Sequence, residues 1–279
     1  MTETRISDAD VELRSASREL RSDIIRMIAK AGSGHPGGSL SAIDILAALY
    51  LKVLRHRPAE PLWPERDRLV LSKGHACPAL YAVMARCGYF PRQQLDTLRV
   101  LGSPLQGHPD RLRLAGIEAS TGSLGQGLSI ALGMALAARM DRSERRVFCV
   151  LGDGEMQEGQ VWEAAMAAPK FALENLTAVV DMNGGQIDGP TREVMDIEPL
   201  AEKFRAFRWE AREVDGHDFK ALLPALQAPG SKGRPVAVLA KTVKGKGVSF
   251  MEGGIDWHGK APTAEEAARA LRELEGGKS

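Results

Sequence analysis

Two apolar runs in the sequence end on residues suited to holding a cation and a phosphate group. "VFCVLGDGEM" sets Asp153 between Gly152 and Gly154, and "LTAVVDMNGGQIDG" sets Asn183 beside Gly184 and Gly185. Carboxylate and amide oxygens are hard donors that suit Mg²⁺, which takes an octahedral shell and shares it with phosphate oxygens and water. With the Gly185 carbonyl as a third protein ligand, the rest of the shell is left to a diphosphate and water. The glycines let the main chain approach the phosphates closely. A lone G-D-G is a common turn. The pairing is more specific: an apolar run precedes each half, a helical stretch separates them, and "N-x-x-Q-I-D-G" closes the second, which together describe a metal–diphosphate site. A helix expected to begin near Glu158 would add the dipole of its N-terminus.

The histidines are the second candidate set. His35 in "SGHPGG", His75 in "KGHAC", His108 in "QGHPD" and His258 in "DWHGK" each stand next to a glycine in a loop-forming stretch. Imidazole can donate to a diphosphate or a hydroxyl and can move protons near neutral pH. His56 and His217 are expected at the surface. Cys77, Cys87 and Cys149 are odd in number and form no C-x-x-C pair, so they read as reduced, mostly buried thiols.

The elements that must carry these residues follow from the pattern between them. "RLVLS", "RVFCVLG", "LTAVVDM", "WEAREV" and "PVAVLAKTV" are short strand-like runs that alternate with helical stretches such as "PALYAVMARCG", "LGQGLSIALGMALAARM", "GQVWEAAMAA" and "FKALLPALQ". Near-continuous apolar strands belong to a parallel sheet covered on both faces. The expected fold class is therefore α/β, a doubly wound and mostly parallel sheet flanked by helices, in which ligands bind outside the carboxyl ends of the strands. One domain over 1–279 is expected, with an N-terminal helical segment at about 8–60. There a long helix from Val11 to Ala31 runs into "AGSGHPGGS", and Ser41 three residues before Asp44 resembles a capping box opening a second helix. "RHRPAEPLWP" reads as a surface connection, Thr263 to Leu274 as a last helix, and "EGGKS" as a frayed end.

The net charge of +1, from 37 basic and 36 acidic residues, offers no broad footprint for nucleic acid or an anionic membrane, so any anionic ligand must be held locally. No run approaches the roughly 20 apolar residues of a bilayer span. "MTETRISDAD" lacks the regions of a signal peptide, and a cytoplasmic protein is expected.

The stretch from Gly152 to Asn183 resembles the thiamine diphosphate motif, which opens on G-D-G and closes on Asn. The surrounding chain is similar to the transketolase family through "ELRSDIIRMIAKAGSGHPGGSLSAIDIL", "LSKGHACPALYA", "GHPD", "IEASTGSLGQGLSIALGMALA" and "KTVKGKGVSFMEGGIDWHG", in that order. The likeness covers nearly the whole chain and is to the N-terminal, diphosphate-binding part of a transketolase, the PP domain. It implies thiamine diphosphate with Mg²⁺ (or Ca²⁺ or Mn²⁺) as cofactors, the metal on Asp153, Asn183 and Gly185, with Gly152 and Gly154 against the cofactor. It places His75 and His258 on diphosphate and substrate oxygens, and His35 and His108 along the channel of the ketose hydroxyls; His35, His108 and His258 are thus the implied catalytic set. Gly122 and Leu124 would pack against the cofactor rings, and Glu158 would join an acidic network at a subunit interface that links active sites. Gly184 and Gly185 depart from the larger side chain many relatives carry, which suggests a more flexible loop. "KTVKGKG" reads as a mobile loop over the site, with Lys244 and Lys246 as solvated charges.

In the family the carboxylate that activates the cofactor belongs to a pyrimidine-binding domain that follows the part seen here. The expectation is a split transketolase: this chain is the diphosphate-binding subunit, its partner carries the pyrimidine-binding and C-terminal domains, and the assembly holds two copies of each. The reaction would move a two-carbon ketol unit from a ketose phosphate, or a related acidic sugar, to an aldose. Alternatives are a deoxyxylulose-phosphate synthase fragment, the alpha subunit of a 2-oxo acid dehydrogenase, or a non-catalytic regulatory relic. A nicotinamide-binding domain has weak support, because "GSLGQG" follows no clear strand.

Overall fold

The computed structural model describes residues 8–276. In chain order it contains α1 (Asp8–Ala31), α2 (Pro36–Ala48), β1 (Arg68–Leu71), α3 (Cys77–Cys87), α4 (Gln126–Met140), β2 (Val147–Gly152), α5 (Gly159–Lys170) and β3 (Leu176–Met182). A two-residue hairpin, β4 (Gly185–Gln186) with β5 (Gly189–Pro190), follows, then α6 (Thr191–Val194), α7 (Leu200–Ala206), β6 (Glu210–Asp215), α8 (Phe219–Gln227), β7 (Val236–Lys241) and α9 (Ala264–Gly276).

Five strands form one sheet in the order β1-β2-β3-β7-β6, and every pairing is parallel. Alternate residues of each strand enter two different cores. On β2, Phe148 and Val150 join the core under α1, α2, α3 and α8, while Val147, Cys149 and Leu151 join the one under α4, α5 and α7. Both faces are covered, which is why β2 is buried at every position. Strand β6 lies at the edge, half-exposed, and its charged residues Glu210, Arg212 and Glu213 suit that place.

The N-terminal helices differ from the reading of the sequence in one respect. Helix α2 begins inside the glycine-rich run, with His35 at its N-cap and Pro36 at the first helical position, so Ser41 and Asp44 are internal and form no capping box. Burial outweighs propensity here: every residue of α2 is buried, and two of its glycines lie in close contact with other segments. A Cβ on Gly37 would lie 2.9 Å from the Trp257 carbonyl oxygen, and one on Gly38 3.3 Å from His75 Nε2.

The tail helix extends to Gly276, so the expected frayed end begins inside it, and its last residues, 277–279, lie outside the described residues, as does most of the N-terminal stretch read for a signal peptide. His56 and His217, expected at the surface, are both half-buried and hydrogen-bonded. His56 packs flat on Tyr89 and hydrogen-bonds the Tyr50 carbonyl at 2.8 Å, and His217 hydrogen-bonds Asp44 at 2.6 Å. Among the described residues, no helix is long and apolar enough to cross a membrane.

Candidate active site

Strand register assembles the site. Gly152 on β2 lies beside Asp181 on β3, and Asp181 lies beside Ala240 on β7, so the residues just past these strands share one rim. That rim carries Asp153, Asn183 and, after Thr242, Lys244. The neighbouring tip of β1 adds Lys73 and His75. A cavity of about 290 Å³ opens there, bordered by Lys73, His75, Asp153, Asn183, Lys244 and His258, with Leu124, Gly152, Gly154, Glu158 and Gly185 around them.

Asp153 is 3 % exposed; its Oδ1 accepts from Gly154 N at 2.8 Å and its Oδ2 from Gly184 N at 2.6 Å. Burial, and then the charge of Asp181, raise its pKa to about 6. A carboxylate this costly to keep charged is one that gains from a cation. Asn183 Oδ1 accepts from Gly185 N at 3.1 Å, and its amide nitrogen donates to Ser41 Oγ and Asp181 Oδ2, each at 3.2 Å, which orients the amide oxygen. The Gly185 carbonyl already receives a cationic donor, Lys244 Nζ at 3.1 Å. A Cβ on Gly154 would lie 2.6 Å from Gln186 Cβ, which leaves no room for a larger residue, and one on Gly185 would lie 2.6 Å from Ile255 Cδ1, a side-chain end that can move aside. Hard oxygens converge with close-approaching backbone and ammonium groups, a set that fits a divalent cation and a diphosphate.

Four histidines from four distant segments meet beside this set. The His35 ring centroid lies 5.3 Å from that of His75, 5.7 Å from His258 and 6.4 Å from His108, and His75 and His258 are 5.1 Å apart. His108 packs on the "STGSLGQG" turn, where a Cβ on Gly122 would come within 2.9 Å of its ring. His35 Nδ1 is buried and finds no partner among the described residues, a polar atom that a ligand could satisfy. Burial, then the cationic neighbours, lower His35 to about 4 and His258 to about 3, and push His75 well below the ordinary imidazole value; His108, more exposed, moves the same way. At neutral pH these rings are uncharged, and each offers one donor and one acceptor, as sugar hydroxyls require.

This has a thermodynamic consequence. Unfolded imidazoles bind protons near pH 6.5, whereas the folded His35 and His258 do so only near 4 and 3. The unfolded state therefore holds more protons in that interval, and stability falls as pH drops from about 6.5 towards 4. Calorimetry across these pH values should show a falling melting temperature, with a shallower fall in the His35→Asn/His258→Asn double variant. Equal slopes in variant and parent would contradict the assignment.

Several site residues are not visible in the motifs. Asp181, fully buried at the end of β3, accepts from Lys73 Nζ at 2.5 Å, from Ser41 Oγ at 2.6 Å and from Thr242 Oγ1. Glu155 is buried too; it accepts from Gly125 N at 2.9 Å, Gly152 N at 3.1 Å and Ser72 Oγ, tying the "GSLGQG" turn to the tip of β2. Lys244 is no solvated charge: it is 2 % exposed, donates to the Gly185 carbonyl, lies 2.9 Å from His258 Nδ1, and is lowered to about 8 by burial and then by Lys73. Lys246 is partly exposed and pairs with Glu252, as a surface charge would. Glu158 is exposed at the rim as the N-cap of α5, which begins at Gly159 as expected, with a short 3₁₀ turn at Gly154–Gln157 between it and Asp153. A charged Asp inside the apolar run "TAVVDM" was the available signal for Asp181, because buried carboxylates need partners.

Residues 10–278 match the family described as "Transketolase, thiamine diphosphate binding domain". Fold and site together define a thiamine diphosphate-binding α/β domain. The chain belongs to the transketolase family. It is 47 % identical over 271 residues to "6-deoxy-6-sulfo-D-fructose transketolase subunit SqwG" of Clostridium sp. (strain MSTE9), covering 97 % of this chain and 98 % of that protein. It is 41 % identical to an apulose-4-phosphate transketolase subunit of Phocaeicola vulgatus, covering 94 % and 93 %. The crystal structure of Campylobacter jejuni transketolase superposes with a TM-score of 0.88 at 35 % identity, over 95 % of this chain and 42 % of that one.

Proposed function

We propose that the chain is the diphosphate-binding subunit of a split transketolase. With a separate partner carrying pyrimidine-binding and C-terminal domains, it transfers a two-carbon ketol unit from an acidic ketose to an aldose. The observation that carries this reading is the meeting of four neutral histidines with an Asp–Asn–carbonyl oxygen set at adjoining strand tips. The chain also matches two relatives named as subunits over almost their full length, while it spans 42 % of a single-chain transketolase.

In this reading Asp153, Asn183 and the Gly185 carbonyl hold Mg²⁺, with Ca²⁺ or Mn²⁺ as substitutes. Gly152, Gly154, His75 and Lys244 face the diphosphate, and Gly122 and Leu124 pack against the cofactor rings. Thiamine diphosphate, when bound, supplies the electron sink for breaking and remaking a carbon–carbon bond next to a carbonyl. His35, His108 and His258 orient the ketose hydroxyls and carbonyl and move protons between them. Their lowered pKa values keep each ring uncharged at neutral pH, so that it presents one donor and one acceptor to these groups. The donor ends in an anionic group, a phosphate or a sulfonate; the second option follows the sulfo-sugar in the name of SqwG.

The partner seats on α4 and α5. Helix α4 is largely apolar, and Ile130, Leu132, Met134 and Leu136 are only partly covered within this chain, as is Trp162 on α5, with Met166 59 % exposed. Surfaces of this kind mark association. Two copies of each chain, with Glu158 at the rim between subunits, complete a cytoplasmic assembly made of single PP-type domains and their partners, whose obligate interface is expected to exceed about 2,000 Å².

Combining the purified chain with a pyrimidine-domain subunit encoded beside it, in Mg²⁺ and thiamine diphosphate, should give ketol transfer that neither protein gives alone. Pyruvate decarboxylation by the mixture, without ketol transfer, would move the chain to another thiamine diphosphate class.

A further inference from the structure

We propose that Arg21, Asp44 and His217 form a positioning triad that holds the Lys244 segment against the cofactor pocket from behind. The proposal rests on reading that pocket as the diphosphate site. The three residues come from α1, α2 and the turn after β6, and none of them borders the pocket. Arg21 Nη2 and His217 Nδ1 both lie 2.6 Å from the same oxygen, Oδ2 of Asp44. Arg21 is 6 % exposed and Asp44 4 %.

The remaining hydrogen-bonding capacity of the triad goes to the backbone around Lys244. Val243 N–H donates to His217 Nε2 at 2.9 Å, which leaves that nitrogen unprotonated and puts the ring proton on Nδ1, facing Asp44. Arg21 Nε donates to the Lys246 carbonyl at 3.0 Å. One backbone group on each side of the Lys244–Gly245 pair is thereby fixed. Between them Gly245, at φ +78°, donates its N–H to the Gly37 carbonyl at 3.0 Å, and a Cβ there would lie 2.3 Å from the Met251 carbonyl oxygen. Held at these points, Lys244 can extend only to the other side, where its Nζ meets Gly185 O and His258 Nδ1.

A buried ion pair is a poor device for stability, because apolar side chains of the same volume often serve as well or better. Its value is directional. Burial alone would raise the Asp44 pKa; Arg21 and His217 more than offset it, so the carboxylate stays charged and fixes the proton of the ring whose other nitrogen holds Val243. A cavity of about 360 Å³ beside the triad, bordered by Ser17, Lys246 and Glu252, leaves room for altered side chains.

The test is calorimetric titration of thiamine diphosphate with Mg²⁺ into the complex of the full chain, or its variants, with the pyrimidine-domain partner. His217→Ala should keep its fold by circular dichroism and raise the dissociation constant roughly tenfold or more, as loss of outer-shell partners does. Lys244→Met should weaken binding as well, and the double variant should bind no worse than Lys244→Met alone, since both changes remove one interaction. His217→Gln, whose amide oxygen can accept from Val243, should recover part of the loss. A purely structural role predicts losses that multiply, and that result, or wild-type affinity in His217→Ala, overturns the triad. If His217→Ala fails to fold, the Gln variant and its double with Lys244→Met decide by the same criterion. Failure of the wild-type complex to bind the cofactor overturns the site reading itself.

Discussion

Replacing Asp153 with alanine is expected to abolish retention of thiamine diphosphate and Mg²⁺ by a chain that still folds. Under the proposed reading the change removes the only carboxylate among the metal ligands, and the affinity should fall by at least about 100-fold, beyond what loss of an outer-shell partner gives. Stability should respond differently. Burial and the nearby Asp181 charge hold Asp153 at about 6, so keeping it ionised at neutral pH costs the cofactor-free fold roughly 2–3 kcal/mol. Asp153→Asn removes the charge and keeps an acceptor for one of the Gly154 and Gly184 N–H groups, while its NH2 group faces the other, an offset of about 1–3 kcal/mol. It should therefore melt close to the temperature of the parent, and above the alanine variant, which loses both acceptors, while binding as poorly as the alanine variant. Such a site gives up stability for function. Titration and melting curves on the three proteins check this, and an alanine variant that retains cofactor would remove Asp153 from the site.

The second large effect falls on folding. Lys73 is 1 % exposed and Asp181 is fully buried, and their 2.5 Å contact is the sole ion pair of Asp181 among the described residues. Lys73→Met leaves the carboxylate buried with neutral donors only, from Ser41, Thr242 and Asn183. Breaking a buried pair from one side costs about 3–5 kcal/mol, a large part of the 5–15 kcal/mol that typically holds a domain. A drop in melting temperature of roughly 10 °C is expected. Adding Asp181→Asn should restore much of it, because no charge is then stranded. A Lys73→Met protein that melts with the parent would show that the pair is not what holds the strand tips together.

The chain's alternating strands and helices, and the rim on which Asp153 and Asn183 meet, could be read without coordinates. Local geometry explains why: an apolar strand followed by glycine can place only a few atoms past its tip, and β2 and β3 are neighbours, so "GDG" and "MNGG" arrive side by side. The four clustered histidines, two of which border the pocket, stand out in the sequence through their glycine neighbours. His217 also follows a glycine, Gly216, yet belongs to a different cluster, and the same signal did not separate it from the others. A lysine in "KTVKGKG" has the look of a solvated charge, but two buried walls, at Gly37 and Gly185, close around Lys244. Ser41 and Asp44 have the spacing of a helix cap, and burial of α2 from Pro36 onward put them to other uses.

The sequence by itself determined which chemistry the strand tips can support, because oxygen donors, glycines and imidazoles keep their properties wherever the chain carries them. Only the tertiary structure decided which charges are paired and which are turned to the pocket. Lys73 and Asp181 lie 108 residues apart in the chain, and His217 and Asp44 lie 173 apart. Neighbourhood across a sheet ordered β1-β2-β3-β7-β6, and the loss of water that accompanies it, set their partners and their ionisation.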